Sequence, residues 1–141
     1  SDWYKTRAAV DHFMSPYEPR RPTREVIKRD VMETLENQIR DWKEHATIVS
    51  GRHLAGKTVA VEEALRGTRG VFRFRIQNLD WVPLMYQELA VKDESTFKQV
   101  LRRVRRRLAK LPDNPTKFPI LLLDIPREAP EGGSLLFVFQ P

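Results

Sequence analysis

One stretch of the chain has the residue types and the spacing needed to hold a phosphate group. Two glycines, Gly51 and Gly56, bracket a short segment, and Lys57 and Thr58 follow the second glycine directly. Glycine lets the backbone adopt positive φ and approach a ligand without a Cβ atom in the way. Backbone N–H groups at the start of a helix form an anion site, to which a lysine adds a full positive charge. The stretch therefore predicts polyphosphate binding.

These residues fill every fixed position of the G-x-x-x-x-G-K-[ST] pattern, the Walker A motif. The pattern assigns Lys57 to the β- and γ-phosphates and the hydroxyl of Thr58 to Mg²⁺. The alternative is a glycine-rich turn ahead of a helix, but a strand is predicted before the stretch and a helix after it. The expected nucleotide contacts form one continuous run: Gly51, Arg52, His53, Leu54, Ala55, Gly56, Lys57, Thr58 and Val59.

A second candidate is the aspartate that closes an apolar run late in the chain. Residues 120–123 are all large aliphatics, and Asp124 follows them. This is the Walker B pattern, in which a buried strand carries a carboxylate to its C-terminal end, where it holds Mg²⁺ through water. Many buried strands end in aspartate, so the pattern is less specific than the first. Together the two patterns predict a metal site made by Thr58 and Asp124.

Strands and helices alternate around these residues. Residues 46–50 are short, apolar and β-branched, as in a buried parallel strand, and a helix is predicted over residues 59–66. Residues 71–76 alternate large apolar side chains with arginines, which indicates an edge strand with one face in water. Further strands are predicted over residues 118–124 and 134–140.

Helices are predicted from apolar positions that recur at helical spacing. They cover residues 23–42, residues 81–89 and a segment that begins near residue 94 and ends before Pro112. Residues 1–22 form a lead segment that is rich in proline toward its end. The remainder, residues 23–141, is one domain. We expect an α/β, three-layer sandwich with a mainly parallel sheet and right-handed crossovers.

Composition narrows the classes of protein. The chain has 141 residues and no cysteine, which excludes disulfides and thiolate metal sites. No apolar run approaches the ~20 residues that cross a bilayer, and the N-terminus lacks a signal-peptide core. We therefore expect no membrane partner and an intracellular location, cytoplasmic or nuclear. The formal net charge of +6 favours polyanionic partners, from nucleotides to nucleic acid.

The order of these elements resembles the N-terminal half of a P-loop ATPase. Within that superfamily the chain is similar to the AAA+/STAND-type ATPase domains, as in Crinkler-type effectors, where a proline-rich lead and a helix also precede the loop. The resemblance covers roughly residues 23–125. It implies a P-loop NTPase core that binds ATP or another NTP with Mg²⁺ at the C-terminal edge of the strands. It rests on Gly51, Gly56, Lys57, Thr58 and Asp124.

The sequence departs from the family pattern after Asp124. Many such ATPases have an acid directly after that aspartate to polarise the attacking water, but here the position is Ile125. Glu128 is the nearest acid, so the expected catalytic residues are Lys57, Asp124 and Glu128. The chain also ends soon afterwards, and we expect a truncated core or part of a larger protein. These departures favour nucleotide binding, with slow hydrolysis at most.

Two other functions remain open. The first is binding of a nucleic-acid backbone, or nuclear targeting, through the basic helix, although the same charges suit a solvated helix face. The second is a non-catalytic interaction module that keeps nucleotide as a structural or switching ligand and acts through protein partners or further domains. The basic residues in question are Arg102, Arg103, Arg105, Arg106 and Arg107.

Overall fold

The structure is a computed structural model, and it describes residues 3–19, 47–54, 61–77, 80–125 and 131–140. The helix predicted over residues 23–42 and the segments 55–60 and 126–130 lie outside the described residues. The chain is a mixed α/β protein, as predicted. Its elements are helix α1 (Tyr4–Met14), strand β1 (Thr47–Leu54), strand β2 (Val71–Arg75), helix α2 (Trp81–Leu89), helix α3 (Glu94–Leu108), strand β3 (Ile120–Ile125) and strand β4 (Glu131–Val138).

The four described strands form one sheet in the order β1-β4-β3-β2. Strands β2 and β3 are parallel, whereas β4 is antiparallel to both β3 and β1. The prediction of a mainly parallel sheet is therefore wrong. A parallel connection needs a crossover of about a dozen residues or more, and only residues 126–130 separate β3 from β4, so β4 returns in the opposite direction. Strands β1 and β3 consequently run the same way, one on each side of β4.

Strand β2 lies at an edge of the described sheet, as its alternating sequence predicts. The expected reason for that position is wrong, because its arginines do not face open water. The side chain of Arg73 is only 10% exposed. Tyr17 and residues 61–65 pack on this side of the sheet and cover part of it. The charged face of β2 is therefore a half-buried polar surface.

Alternation along the strands divides the apolar residues between two faces. On one face Phe72, Leu121 and Phe137 pack against α1, α2 and α3, including the buried Phe13 and Val104. The opposite face is a smaller cluster around Tyr17. That cluster contains Tyr17, Val71, Ile120, Leu122 and Leu136, with Val61 and Leu65 at its border. Residues 61–64, which are helical, thus lie across the sheet from the three longer helices.

Helix α3 begins at a well-formed cap. The side chain of Asp93 accepts a hydrogen bond from the backbone N–H of Thr96 at 2.8 Å, which satisfies one of the free donors at a helix start. Phe97, Val100 and Val104 are among the residues that it buries against the sheet. Most of its arginines lie on the exposed side of the helix.

Two glycines fix the turn between residues 61–65 and β2. Gly67, predicted to end the helix, has φ of +77° and donates its N–H to the carbonyl of Tyr17 at 2.8 Å. Gly70 has φ of +92°, and a Cβ atom there would lie 2.6 Å from Cδ1 of Leu108. Positive φ is strained for residues with a side chain. The turn therefore needs glycine at both positions.

Candidate functional site

Strand β1 is longer than predicted and takes in the first half of the expected phosphate loop. Gly51, Arg52, His53 and Leu54 belong to the strand, and the last three pair with residues 131–133 of β4. This corrects the expectation that the loop begins at Gly51. The physical reason is that β4 extends far enough to offer backbone partners to the last three of these residues.

The pairing of β1 is interrupted close to its glycine. Register shifts occur between Ile48 and Ser50 and between Ser50 and Arg52. Gly51 therefore falls at an irregularity of the ladder, a position where glycine is typical because the backbone bends locally. The glycine that the sequence assigns to a phosphate loop lies in this structure within a bulged strand.

The remaining residues of the pattern follow the end of this strand. Residues 55–59, including Gly56, Lys57 and Thr58, lie outside the described residues, as does Glu128. On their two sides the structure has β1, which ends at Leu54, and the helical residues 61–64. The predicted order, a strand before the Lys57–Thr58 pair and a helix after it, is confirmed.

Strand direction determines where these residues emerge relative to Asp124. Gly133 of β4 pairs with Arg52 on one side and with Ile125 on the other. Arg52 of β1 and Ile125 of β3 are therefore level, and both strands end at the same end of the sheet, with β1 continuing for two more residues. With neighbouring strands ~4.8 Å apart, two strand spacings separate them by about 10 Å. The chain that leaves β1 thus emerges at the same end of the sheet as Asp124.

Asp124 is held by an arginine from the neighbouring parallel strand. The distance from Nη2 of Arg73 to Oδ2 of Asp124 is 2.5 Å, and the two side chains are 10% and 16% exposed. Burial raises the pKa of Asp124 above the ordinary carboxyl value, while the positive charges of Arg73 and Arg75 oppose that shift. Arg75 is directly opposite Asp124 in the register of the two strands.

The same arginine also contacts a buried glutamate. Nε of Arg73 lies 3.4 Å from Oε1 of Glu62, and the hydroxyl of Tyr17 donates a hydrogen bond to that oxygen at 2.6 Å. Burial, and then the hydrogen bond to Glu62, raise the pKa of Tyr17 well above its usual range. Tyr17, Glu62, Arg73 and Asp124 form a continuous chain of contacts, which we call the polar network.

A cavity of about 480 Å³ opens beside the polar network at the β2 edge. Tyr17 and Arg73 belong to its wall, together with His12, Glu18 and Glu88. Its volume lies within the ~300–1,000 Å³ that is usual for small-molecule sites. The cavity reaches Arg73, which in turn contacts the carboxylate of Asp124.

Sequence reasoning identified Asp124 but missed the other three members of the polar network. A signal for Arg73 was present in the sequence, because β2 carries arginines and the next strand along the chain ends in an aspartate. Arg73 lies on the same face of the sheet as Asp124 but is paired with Leu122, so its long side chain reaches the carboxylate diagonally from two residues away. Tyr17 and Glu62 had no comparable signal, since they come from distant segments.

The oxygen donors predicted for the metal site suit magnesium only in a water-rich coordination shell. No group of three or more His, Cys, Asp or Glu side chains that could hold a metal ion lies within the described residues. Mg²⁺ is commonly held by one or two carboxylates, several waters and substrate phosphates. Asp124 with the hydroxyl of Thr58 fits that chemistry. Because Arg73 already donates to Oδ2, we expect the contact of Asp124 with a metal to pass through water.

The arginines of α3 do not form one uniform basic surface. Arg103 donates from Nη1 to the carbonyl of Trp3 at 2.6 Å and to the hydroxyl of Thr6 at 2.5 Å. Arg107 lies 3.9 Å from Asp11 of α1. Arg103 is thereby committed to packing α3 against the start of α1. The arginines of this helix that are exposed are Arg102, Arg105, Arg106 and Arg107.

Comparisons with protein-family models, with curated proteins and with solved structures find no match to this chain. Among the described residues, no helix is long and apolar enough to cross a membrane.

Proposed function

We propose that this protein binds a magnesium nucleotide, ATP or another NTP, at the C-terminal edge of the sheet. The proposal assigns the chain a P-loop NTPase core in which β4 has become antiparallel. One observation carries it: β1, which leads into Lys57 and Thr58, runs in the same direction as β3, which ends beside Asp124. A hydrated metal ion and a phosphate group can span the distance of about 10 Å between β1 and β3, which lie on either side of β4.

The roles of the residues follow from their chemistry. The backbone of residues 55–59 surrounds the phosphates, and the ammonium group of Lys57 neutralises their charge. The hydroxyl of Thr58 and, through water, the carboxylate of Asp124 hold Mg²⁺. Because Gly51, Arg52, His53 and Leu54 are strand residues, their proposed role is to aim the following segment toward Asp124.

Binding is better supported than hydrolysis. Phosphoryl transfer needs a group that orients the attacking water and a positive charge that stabilises the transition state. Ile125 has no polar group for the first task, and Glu128 is the acid proposed in its place. We propose slow turnover in the isolated chain, with a second subunit or a further domain completing the site. Without such a partner, bound nucleotide acts as a structural or switching ligand.

The magnesium dependence of ATP binding tests whether the segment after β1 and Asp124 of β3 form one site. Calorimetric titrations with and without Mg²⁺ compare the wild type with Asp124→Asn and with Asp113→Asn, an exposed aspartate outside the site. Mg²⁺ should strengthen ATP binding in the wild type and in Asp113→Asn, and much less in Asp124→Asn. An equal effect of Mg²⁺ in all three proteins would contradict a site shared by Lys57 and Asp124. Titrations with GTP and ADP then define nucleotide preference.

A further inference from the structure

A cavity with an apolar floor and a basic rim lies at the other end of the sheet. Its volume is about 230 Å³. It lies near the start of β3, where Ile120 pairs with Val138, on the order of 15 Å along the strand from Asp124. It is thus separate from the proposed nucleotide site. Its floor is Leu101, Pro119 and Phe139, and its rim is Lys98, Arg102 and Arg105.

Helical spacing explains the basic rim. Lys98, Arg102 and Arg105 are separated by four and then three residues on α3, so they share one face of the helix. Lys98 has an exposed contact with Glu94 at 3.4 Å, which is a weak competitor for a ligand. For Arg102, no ion-pair partner lies in the part of the chain that the structure describes. The rim therefore retains positive charge for a partner.

The floor is apolar and packed against the core. Phe139 is 6% exposed, and its ring packs edge-on against Phe97 with centroids 5.8 Å apart. The guanidinium of Arg105 lies 5.4 Å from the ring centroid of Phe118, a cation–π contact that holds the arginine at the rim. Covering this apolar floor with an apolar side chain of a partner is favourable, because apolar surface is removed from water.

We propose that this cavity with its basic rim, which we call the basic groove, docks an acidic segment of a partner protein. One large apolar side chain of the segment enters the cavity, and flanking carboxylates contact Lys98, Arg102 and Arg105. The volume supports a single side chain, because it lies below the ~300–1,000 Å³ of typical small-molecule sites. Charge complementarity supports an acidic segment, since carboxylates pair with arginine through two parallel hydrogen bonds.

A nucleic acid fits the groove less well. Binding to single strands relies on exposed aromatic rings that stack with bases, and backbone binding relies on many cations along one track. Here the ring of Phe139 is buried and Arg105 lies over the half-buried ring of Phe118. Arg103 is bound to Trp3 and Thr6, which interrupts the basic track.

Fluorescence anisotropy tests the proposal with a labelled synthetic peptide that has one central tryptophan flanked by glutamates. We expect saturable binding that weakens at least about fivefold in Arg102→Glu, since a charge contact becomes a repulsion. Arg106→Glu is the matched control, because it makes the same charge change on the same helix at an exposed position that does not line the cavity. It should change the affinity much less. Circular dichroism verifies that both variants are folded.

Further ligands distinguish binding in the basic groove from nonspecific attraction between opposite charges. Replacing the tryptophan of the peptide by serine should weaken binding by at least about tenfold, because the apolar anchor is lost. Equal losses in Arg102→Glu and Arg106→Glu, or no effect of the serine peptide, would overturn the proposal in favour of general basic binding. Absence of peptide binding would also overturn it. So would a single-stranded oligonucleotide that binds more tightly than the peptide, or self-association that Arg102→Glu abolishes.

Discussion

The guanidinium of Arg73 on β2 lies 2.5 Å from the carboxylate of Asp124 on β3. The two strands are parallel, and their side chains meet on the half-buried face of the sheet at its C-terminal end. Asp124 is also the residue proposed to hold Mg²⁺. Its ion pair with Arg73 therefore ties the stability of the sheet to the chemistry of the proposed site. Glu62 and Tyr17 extend that connection to two other segments.

Replacing Arg73 by methionine should strongly destabilise the protein. Glu62 and Asp124 would lose their common cation while they remain mostly buried, and breaking a buried ion pair costs about 3 kcal/mol or more. Urea unfolding followed by circular dichroism measures the loss. Arg66→Met is the control, because Arg66 pairs with Glu63 at an exposed position and should change little. Comparable losses in the two variants would contradict a structural role for the polar network.

The pH dependence of stability should reveal the burial of Asp124. Burial raises its folded-state pKa above the ordinary value of 3.8. The native state therefore binds the proton of the Asp124 carboxyl group more tightly than the unfolded state does. The stability that comes from this tighter proton binding is fully present below pH 3.8 and is lost as pH rises through the folded-state pKa. The free energy of unfolding of the wild type minus that of Asp124→Asn should therefore fall as pH rises. A constant or rising difference in urea unfolding would refute the shift.

Gly70→Ala should be more destabilising than Gly67→Ala. Both glycines have positive φ, but a Cβ at Gly70 would meet Leu108 at 2.6 Å, whereas at Gly67 nothing lies within 4 Å. Backbone strain of this kind costs on the order of 1 kcal/mol at each site, and Gly70→Ala also displaces the buried Leu108. Thermal unfolding of the two variants compares them directly. If Gly67→Ala lowers the melting temperature as much as Gly70→Ala, the contact with Leu108 is not the cause.

Hydrolysis of ATP by the isolated chain should be slow. Ile125 cannot polarise water, and Glu128 follows Pro126, which restricts its approach to the phosphate. A single-turnover assay should give a rate well below ~1 s⁻¹, the lower end of typical enzymes. Residual turnover that is lost in Glu128→Gln, with ATP binding retained, would identify Glu128 as the base. A rate of ~1 s⁻¹ or faster would show that the site is complete.

Local sequence patterns predicted β2, α2 and α3 well, because those patterns report burial. The alternation of residues 71–76 gave both β2 and its edge position. The apolar spacing after Asp93 predicted α3. Such features depend on neighbours in the chain, and the side chains themselves carry the signal.

Pairing between strands was not predictable to the same degree. The short connection from β3 to β4 makes β4 antiparallel to β3. Strand β4 in turn provides the backbone pairing that extends β1 as far as Leu54. That second effect depends on a strand from the far end of the chain. The polar network has the same origin, because Tyr17 and Glu62 meet through tertiary packing. The position of Asp124 was predicted from its strand, but its arginine partner was not.

The effect of Lys57→Ala on the affinity for Mg-ATP tests the central claim most directly. Calorimetry should show binding by the wild type and at least tenfold weaker binding by Lys57→Ala, about 1.4 kcal/mol, because a charge-assisted contact to phosphate is removed. Lys110→Ala, an exposed lysine beyond the end of α3, removes the same charge and should leave the affinity unchanged. Unchanged affinity in a folded Lys57→Ala protein, or an equal loss in Lys110→Ala, would contradict nucleotide binding at this site.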